Sequence, residues 1–143
     1  MAALLRALVS GAPRVRALER LEVYCNAPSP LWGSFAGEVL RRHPRVVAID
    51  VGSNGLGDAG AGLLADALET GECVRVREIH LDYSGIGAAG AERLLAAAKR
   101  CPALARVWLH GNDGVPSAIS RALARHLTAN SALFLRGGLT DAE

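Results

Sequence analysis

Aromatic residues are scarce in this chain, with two tryptophans, two tyrosines and two phenylalanines among 143 residues, although 50% of the chain is apolar. Alanine and leucine supply most of the apolar bulk, which excludes a large aromatic core and favours closely packed helices in thin layers. The length suits a single domain that buries a core of its own.

The chain has neither a large excess of charge of one sign nor a long apolar run. The formal net charge is +2, which is too small to indicate a nucleic-acid or membrane partner by itself. No apolar run approaches the ~20 residues that a membrane-spanning helix needs, so we predict no membrane span.

Cysteines are few and have no close pairs. Cys25, Cys73 and Cys101 are an odd number, and no C-x-x-C occurs, which argues against a zinc knuckle and a disulfide framework. Buried free thiols in a reducing compartment are expected, so we predict an intracellular, cytoplasmic protein. The alternative is mitochondrial, because the first 18 residues carry three arginines and no acid, as presequences do. The same segment is also interpreted as an N-terminal capping helix over residues 2–9.

A glycine motif invites a nucleotide-binding interpretation. GLGDAG at 55–60 matches G-x-G-x-x-G, follows the strand-like run VVAIDV, and precedes Asp82 at about the spacing of a ribose-binding acid. However, the first glycine comes too long after Val51 to place a pyrophosphate at a helix N-terminus. The motif also recurs as GIGAAG at 85–90, and two dinucleotide sites on short neighbouring helices are implausible. We therefore predict no nucleotide and no other cofactor.

The glycines have structural uses instead. Gly57 and Gly87 are expected in tight turns at positive φ, where glycine is favoured. Gly60 and Gly90 are expected where one helix approaches its neighbour closely.

The glycine motif recurs because a longer segment repeats. Residues 46–68 align with 76–98 at a constant offset of 30, and both contain L-x-x-L-x-L-x-x-N or a close variant. Earlier and later copies begin at Leu18 and Leu104, and a degenerate fifth strand is predicted around Leu133 and Leu135. Self-similarity at this period is typical of repeat architectures.

These repeats resemble leucine-rich repeats, in particular the long ribonuclease-inhibitor-like type found also in the C-terminal regions of NOD-like receptors. The resemblance implies an α/β solenoid of about four and a half repeats, with a short parallel concave sheet and outer helices. It also implies one domain over 1–143, which divides into an N-terminal helical cap or half repeat (1–17), four repeats (18–45, 46–75, 76–103 and 104–131) and a C-terminal cap (132–143).

The asparagine of each repeat has a physical role. Asn26, Asn54 and Asn112 are expected to stack one per repeat, where a buried amide can bridge the backbone groups of neighbouring loops. Ser84 interrupts this ladder, and because a hydroxyl makes fewer bonds, the third repeat is expected to be slightly weaker there.

The residues between the leucines of each strand turn outward and form columns on the concave sheet, ~4.8 Å apart between strands. Trp, Tyr and Arg dominate binding hot spots, so we predict a protein-binding surface centred on Trp108 and His80. The alternative is that Trp108 and Phe134 pack under the C-terminal tail GGLTDAE. The predicted partner-binding residues are Arg20, Glu22, Tyr24, Asp50, Glu78, His80, Asp82, Arg106, Trp108, His110, Phe134 and Arg136.

Metal binding and catalysis are not predicted. His80, Asp82 and His110 lie on adjacent predicted strands, but their spacing matches no dedicated metal motif. Alternation directs Ser53 away from His80, and no G-x-S-x-G turn occurs, so no enzyme activity is expected. His43 and His126 are expected to be solvated on the outer helices.

Basic residues gather where helices return to strands. The possible basic edge comprises Arg41, Arg42, Arg45, Arg75, Arg77, Lys99 and Arg100. Such residues suit helix C-termini, where positive charge meets the negative end of the helix dipole. The alternative is an edge that docks on an acidic partner, RNA or an anionic surface.

The leading hypothesis is therefore a non-enzymatic module that binds a protein across its concave face, as a scaffold or accessory subunit of a larger assembly. A basic-edge docking protein for RNA or an anionic surface, such as a ribosome-associated subunit, is the alternative.

Overall fold

Four short strands alternate with helices along the chain. The computed structural model describes residues 6–8, 10, 17–73 and 75–137, and gives the backbone alone for 132–137. The elements are β1 (Arg20–Glu22), α1 (Leu31–Arg42), β2 (Ala48–Asp50), α2 (Gly57–Glu69), β3 (Glu78–His80), α3 (Ala88–Ala98), β4 (Arg106–Trp108) and α4 (Ser117–Gly137). Residues 6–8 are helical, in agreement with the helix expected over 2–9 where that prediction falls on described residues.

The strands form one parallel sheet in the order β1-β2-β3-β4. Leu21, Ile49, Ile79 and Val107 are paired in register, as the sequence alignment of the repeats predicts. The helices follow the same order, and each packs on the next. The chain is therefore a mixed α/β fold built from successive strand–helix units.

The core lies between the sheet and the helices. Ile49 and Ile79 in the two central strands, and Val51 and Leu81 directly after them, are fully buried. Leucines at three- and four-residue spacing on the helices cover them, as amphipathic periodicity requires. None of the helices in the described part of the chain has the length and hydropathy of a membrane-spanning helix.

Glycine allows the helices to pack closely. A Cβ placed on Gly60 would lie 3.0 Å from the carbonyl oxygen of Pro30, and one on Gly90 would lie 3.0 Å from the Cβ of Ala61. The prediction that these two glycines permit close helix approach is confirmed. Gly57 has φ +61°, as expected, but the prediction for Gly87 is wrong, because its φ is −109°.

Asparagine amides bridge successive loops. Asn54 is fully buried, and its Nδ2 donates to the carbonyl oxygens of Val23 at 2.6 Å and Val51 at 2.9 Å. Its Oδ1 accepts from the N–H of Asn26 at 2.7 Å. The hydroxyl of Ser84 donates only within its own loop, to the carbonyl oxygen of Asp82, which agrees with the expected break in the ladder.

The predicted fifth strand is wrong. Helix α4 continues through Phe134 and Arg136 to Gly137, because no glycine or proline interrupts the sequence between Ser117 and Arg136. By contrast, α1 and α3 end shortly before prolines. Asn130 also anchors α4, since its Nδ2 donates to the carbonyl oxygen of Leu104 at 3.0 Å.

Candidate protein-binding site

The outward residues of the four strands form one surface, which we call the strand face: Arg20, Glu22, Tyr24, Asp50, Glu78, His80, Asp82, Arg106, Trp108 and His110. The register of the sheet brings these predicted residues together. Phe134 and Arg136 do not belong to this face, because they lie in α4 rather than on a fifth strand.

The first row of the strand face is an ion-paired cluster. Glu78 accepts from Arg20 and from Arg106, each at 3.3 Å. Arg20 reaches Glu78 across β2, where the register places Ala48, whose small side chain leaves the path open. Both arginine side chains stay more than half exposed, so these pairs add little stability; their contribution is to place two arginines on either side of Glu78.

The second row carries a stacked pair of rings. The rings of His80 and Trp108 lie 3.9 Å apart between centroids, with 10° between their planes. The guanidinium carbon of Arg106 lies 5.9 Å from the centre of the Trp108 ring, within range of a cation–π interaction. The Nε2 atom of His80 is buried and has no hydrogen-bond partner within the described residues. The pair therefore forms a stacked aromatic platform beside the ion-paired cluster.

Two predicted binding carboxylates are used to hold loops. Asp50 accepts from the backbone N–H of Gly52 at 2.9 Å, and Asp82 accepts from that of His110 at 2.7 Å. The first bond is local and fixes the turn after β2, whereas the second joins the loops of two neighbouring units. These two residues shape the strand face, and their side chains are only partly exposed.

Two exposed tyrosines lie where the strands end, Tyr24 within the strand face and Tyr83 beside it. Tyr24 is 56% exposed and Tyr83 is 60% exposed. Tyr83 contacts the ring of His110 edge-on, with centroids 5.2 Å apart, and lies over Gly111, whose hypothetical Cβ would be 2.2 Å from the tyrosine ring.

Sequence reasoning missed Tyr83, because strict alternation directs it away from the strand face. Its backbone has φ +51°, like Cys25 and Ser53 at the equivalent loop positions of the preceding units. This left-handed turn redirects the side chain toward His110. The available signal was a tyrosine at a loop position where the other units carry small residues.

Three of the seven residues of the basic edge form ion pairs within the chain. Arg41 and Arg42 both pair with Glu38, and the hydrogen bond from Arg42 lowers the pKa of that carboxyl below its usual value. Arg45 lies 3.7 Å from Glu19. Arg77 is partly buried, whereas Arg75, Lys99 and Arg100 are exposed and form no ion pair within the described residues.

Histidines and glycines outside the strand face have structural surroundings. His43 is 3% exposed, so the expectation that it is solvated is wrong; its Nε2 lies 2.6 Å from the carbonyl oxygen of Leu8. His126 is partly buried against the carbonyl oxygen of Ala98. Within the described residues, no group of three or more His, Cys, Asp or Glu side chains is placed to hold a metal ion. The GLGDAG segment begins α2, and its third glycine contacts the preceding loop.

No protein-family model matches the sequence, and no curated protein matches it. Solved structures do match. One is leiomodin-1 actin-binding site 2, with a TM-score of 0.72 over 96% of this chain and 92% of that chain, at 13% sequence identity. A likeness at this low identity concerns the fold alone, and function has to be argued from the site.

Proposed function

We propose that this chain is a non-catalytic leucine-rich-repeat module of the ribonuclease-inhibitor-like type, whose strand face is concave and binds a partner protein. The observation that carries the proposal is the stacked pair of His80 and Trp108 beside the arginines that Glu78 holds. Tryptophan and arginine dominate binding hot spots, and side chains already held in place lose less entropy on binding.

The partner is a protein within a larger assembly. The structurally similar leiomodin-1 segment is named for binding actin, so actin is the first protein to test. We propose a cytoplasmic location because the cysteines are free, as in a reducing compartment, with a mitochondrial assembly as the alternative.

The decisive experiment compares two variants of the strand face with a matched control. Trp108→Ala and His80→Ala should each weaken partner binding by about 30-fold, the factor that corresponds to ~2 kcal/mol for a hot-spot residue. Leu31→Ala is the control, because Leu31 is 68% exposed and lies on α1, outside the strand face. Actin co-sedimentation and affinity capture from a lysate supply the readout, and unchanged melting temperatures show that the variants are folded.

Retained binding in both variants would remove the strand face as the binding surface. The basic-edge alternative makes a different prediction: neutralising Arg75, Lys99 and Arg100 together would abolish binding, and affinity would fall steeply with added salt. On the strand-face proposal, that triple variant binds its partner normally.

A further inference from the structure

The backbone hydrogen bonds that link each strand to the next end at β4, because no further strand follows it within the described residues. Val51 donates its N–H to the carbonyl oxygen of His80 at 3.1 Å, and Leu81 donates to that of Trp108 at 3.0 Å. Leu109 is the next residue in this series. Because β4 is the last strand within the described residues, the N–H of Leu109 points to a side where no described strand lies.

The alternation of a parallel ladder identifies the other groups on this side. Arg106 and Trp108 direct their backbone groups to the β3 side. The N–H of Arg106 donates in that direction, and the carbonyl oxygen of Trp108 accepts from that direction. Val107, which lies between them, therefore directs its N–H and C=O away from β3. We call the N–H and C=O of Val107 and the N–H of Leu109 the open edge; the carbonyl oxygen of Leu109 accepts from Asn112 instead. Such a row of groups is a template for another strand.

Apolar side chains at the open edge are incompletely covered. Ile79 and Leu81 of the preceding unit are fully buried, whereas Val107 and Leu109 are only partly buried. A groove of about 300 Å³ runs beside β4 and is lined by residues 105–108 together with Ala124, Leu127 and Thr128 of α4. The groove provides room for the side chains of an additional strand between β4 and α4.

The side-chain columns define the chemistry of that strand. Glu78 lies on the β3 side of Arg106, whose side chain is 65% exposed, so a carboxylate on an added strand would flank the guanidinium from the other side. His80 stacks on Trp108 from β3, so a planar side chain on an added strand would extend the stack. Cross-strand pairs of these types stabilise sheets.

We propose that the open edge binds an extended segment of a partner protein by parallel strand addition, and that this segment carries an acidic, an aliphatic and an aromatic residue in succession, opposite Arg106, Val107 and Trp108. Main-chain bonds supply the affinity and the alternate side chains supply the specificity. The inference goes beyond the proposed function, because it adds main-chain pairing at the edge of β4, to which Arg106 and Trp108 of the strand face contribute side-chain specificity.

The probe is a fluorescein-labelled peptide, Ser-Glu-Val-Tyr-Leu-Ser, titrated with the full chain and followed by fluorescence anisotropy. In parallel register, the peptide's tyrosine N–H points to Val107, whereas its valine N–H points away. N-methylation at the tyrosine nitrogen should therefore weaken binding at least tenfold, and N-methylation at the valine nitrogen should leave it unchanged. Amide shifts in a nitrogen-15 NMR spectrum should be confined to the residues around Val107 and Leu109.

Two variants of the protein test the same contacts. Val107→Pro removes the outward N–H while leaving the bonds to β3, and edge strands tolerate such a proline; peptide binding should fall at least tenfold with little change in the melting temperature. Arg106→Glu should weaken binding of the glutamate peptide at least fivefold and should favour an analogue with lysine in that place. Val107→Pro keeps His80 and Trp108, so its effect is separable from a failure of the strand face.

Three outcomes would overturn the proposal. Equal binding of the two N-methylated peptides would exclude backbone pairing, and this comparison remains decisive if Val107→Pro does not fold. Equal binding of the reversed sequence would exclude the parallel register. If sedimentation shows self-association that Val107→Pro abolishes, the occupant is a second copy of this chain rather than a partner segment.

Discussion

Replacing Asn54 by serine tests the asparagine ladder quantitatively. The buried amide donates to the carbonyl oxygens of Val23 and Val51 and accepts from the N–H of Asn26. A serine at this position has a single hydroxyl, and Ser84, at the equivalent place in the next unit, bonds only within its own loop. Asn54→Ser should therefore lose two of three bonds and leave the N–H of Asn26 without its acceptor.

The expected cost follows from these bonds. At ~1 kcal/mol net for each lost bond, with a further penalty for a partly buried group left without a partner, the free energy of unfolding should fall by about 2–3 kcal/mol. For a chain of this size, that corresponds to a melting temperature lower by roughly 6–12 °C. Thermal and urea unfolding, followed by circular dichroism at 222 nm, measure both quantities.

Asn26→Ser is the matched control, because the Asn26 side chain makes one exposed bond, to the carbonyl oxygen of Tyr24. Its cost should stay below about 1 kcal/mol. If Asn54→Ser costs no more than this control, the ladder does not stabilise the fold as reasoned. In the opposite direction, Ser84→Asn should raise the free energy of unfolding by about 1 kcal/mol, because it restores the missing amide.

Three further perturbations follow from burial and close contacts. Gly60→Ala should lower the free energy of unfolding by about 1–3 kcal/mol, because its Cβ would lie 2.8 Å from a neighbouring side-chain carbon. Gly62→Ala is the control in the same helix, where a Cβ would meet nothing within 4 Å. In the same urea titration, this control should raise the free energy of unfolding by about 0.5–1 kcal/mol. His43→Ala should cost about 2–4 kcal/mol, since it opens a cavity and leaves the carbonyl oxygen of Leu8 without its 2.6 Å contact; a melting temperature within 2 °C of wild type would contradict this. Burial raises the pKa of the Cys73 thiol from 9.0 to about 11, so its protonated form contributes stability that is fully present below about pH 9 and is lost as the pH rises toward 11. Cys73→Ala should flatten that alkaline decline in urea unfolding midpoints, and an unchanged decline would assign it to other groups.

The strand face was largely predictable because a repeat fixes both register and alternation. Once residues 46–68 were aligned with 76–98, the pairing of Asp50 with His80 followed, and the structure has that pairing. The stacking of His80 on Trp108 was not predictable, because ring orientation depends on rotamers that only packing selects. The turn that directs Tyr83 toward His110 also lies outside simple alternation.

The last unit shows the limit of the repeat pattern. Leu133 and Leu135 have the spacing of a strand, but the segment from Ser117 onward contains no helix terminator before Gly137, and it remains helical. Short apolar patterns fit a strand and a helix equally well, and the tertiary contacts decide between them. Asn130, in the turn of α4 just before the predicted strand, bonds to the carbonyl oxygen of Leu104 and so ties this part of the helix to the start of β4's unit.

The sequence by itself determined the repeating strand–helix order, the in-register parallel strands and the buried amides, because each follows from local periodicity and from backbone groups that need partners. The tertiary structure alone decided which polar groups are free. It committed Asp50 and Asp82 to loops and Glu78 to two arginines, and it left β4 as the last described strand. These outcomes depend on distances between residues far apart in the chain, which no local pattern encodes.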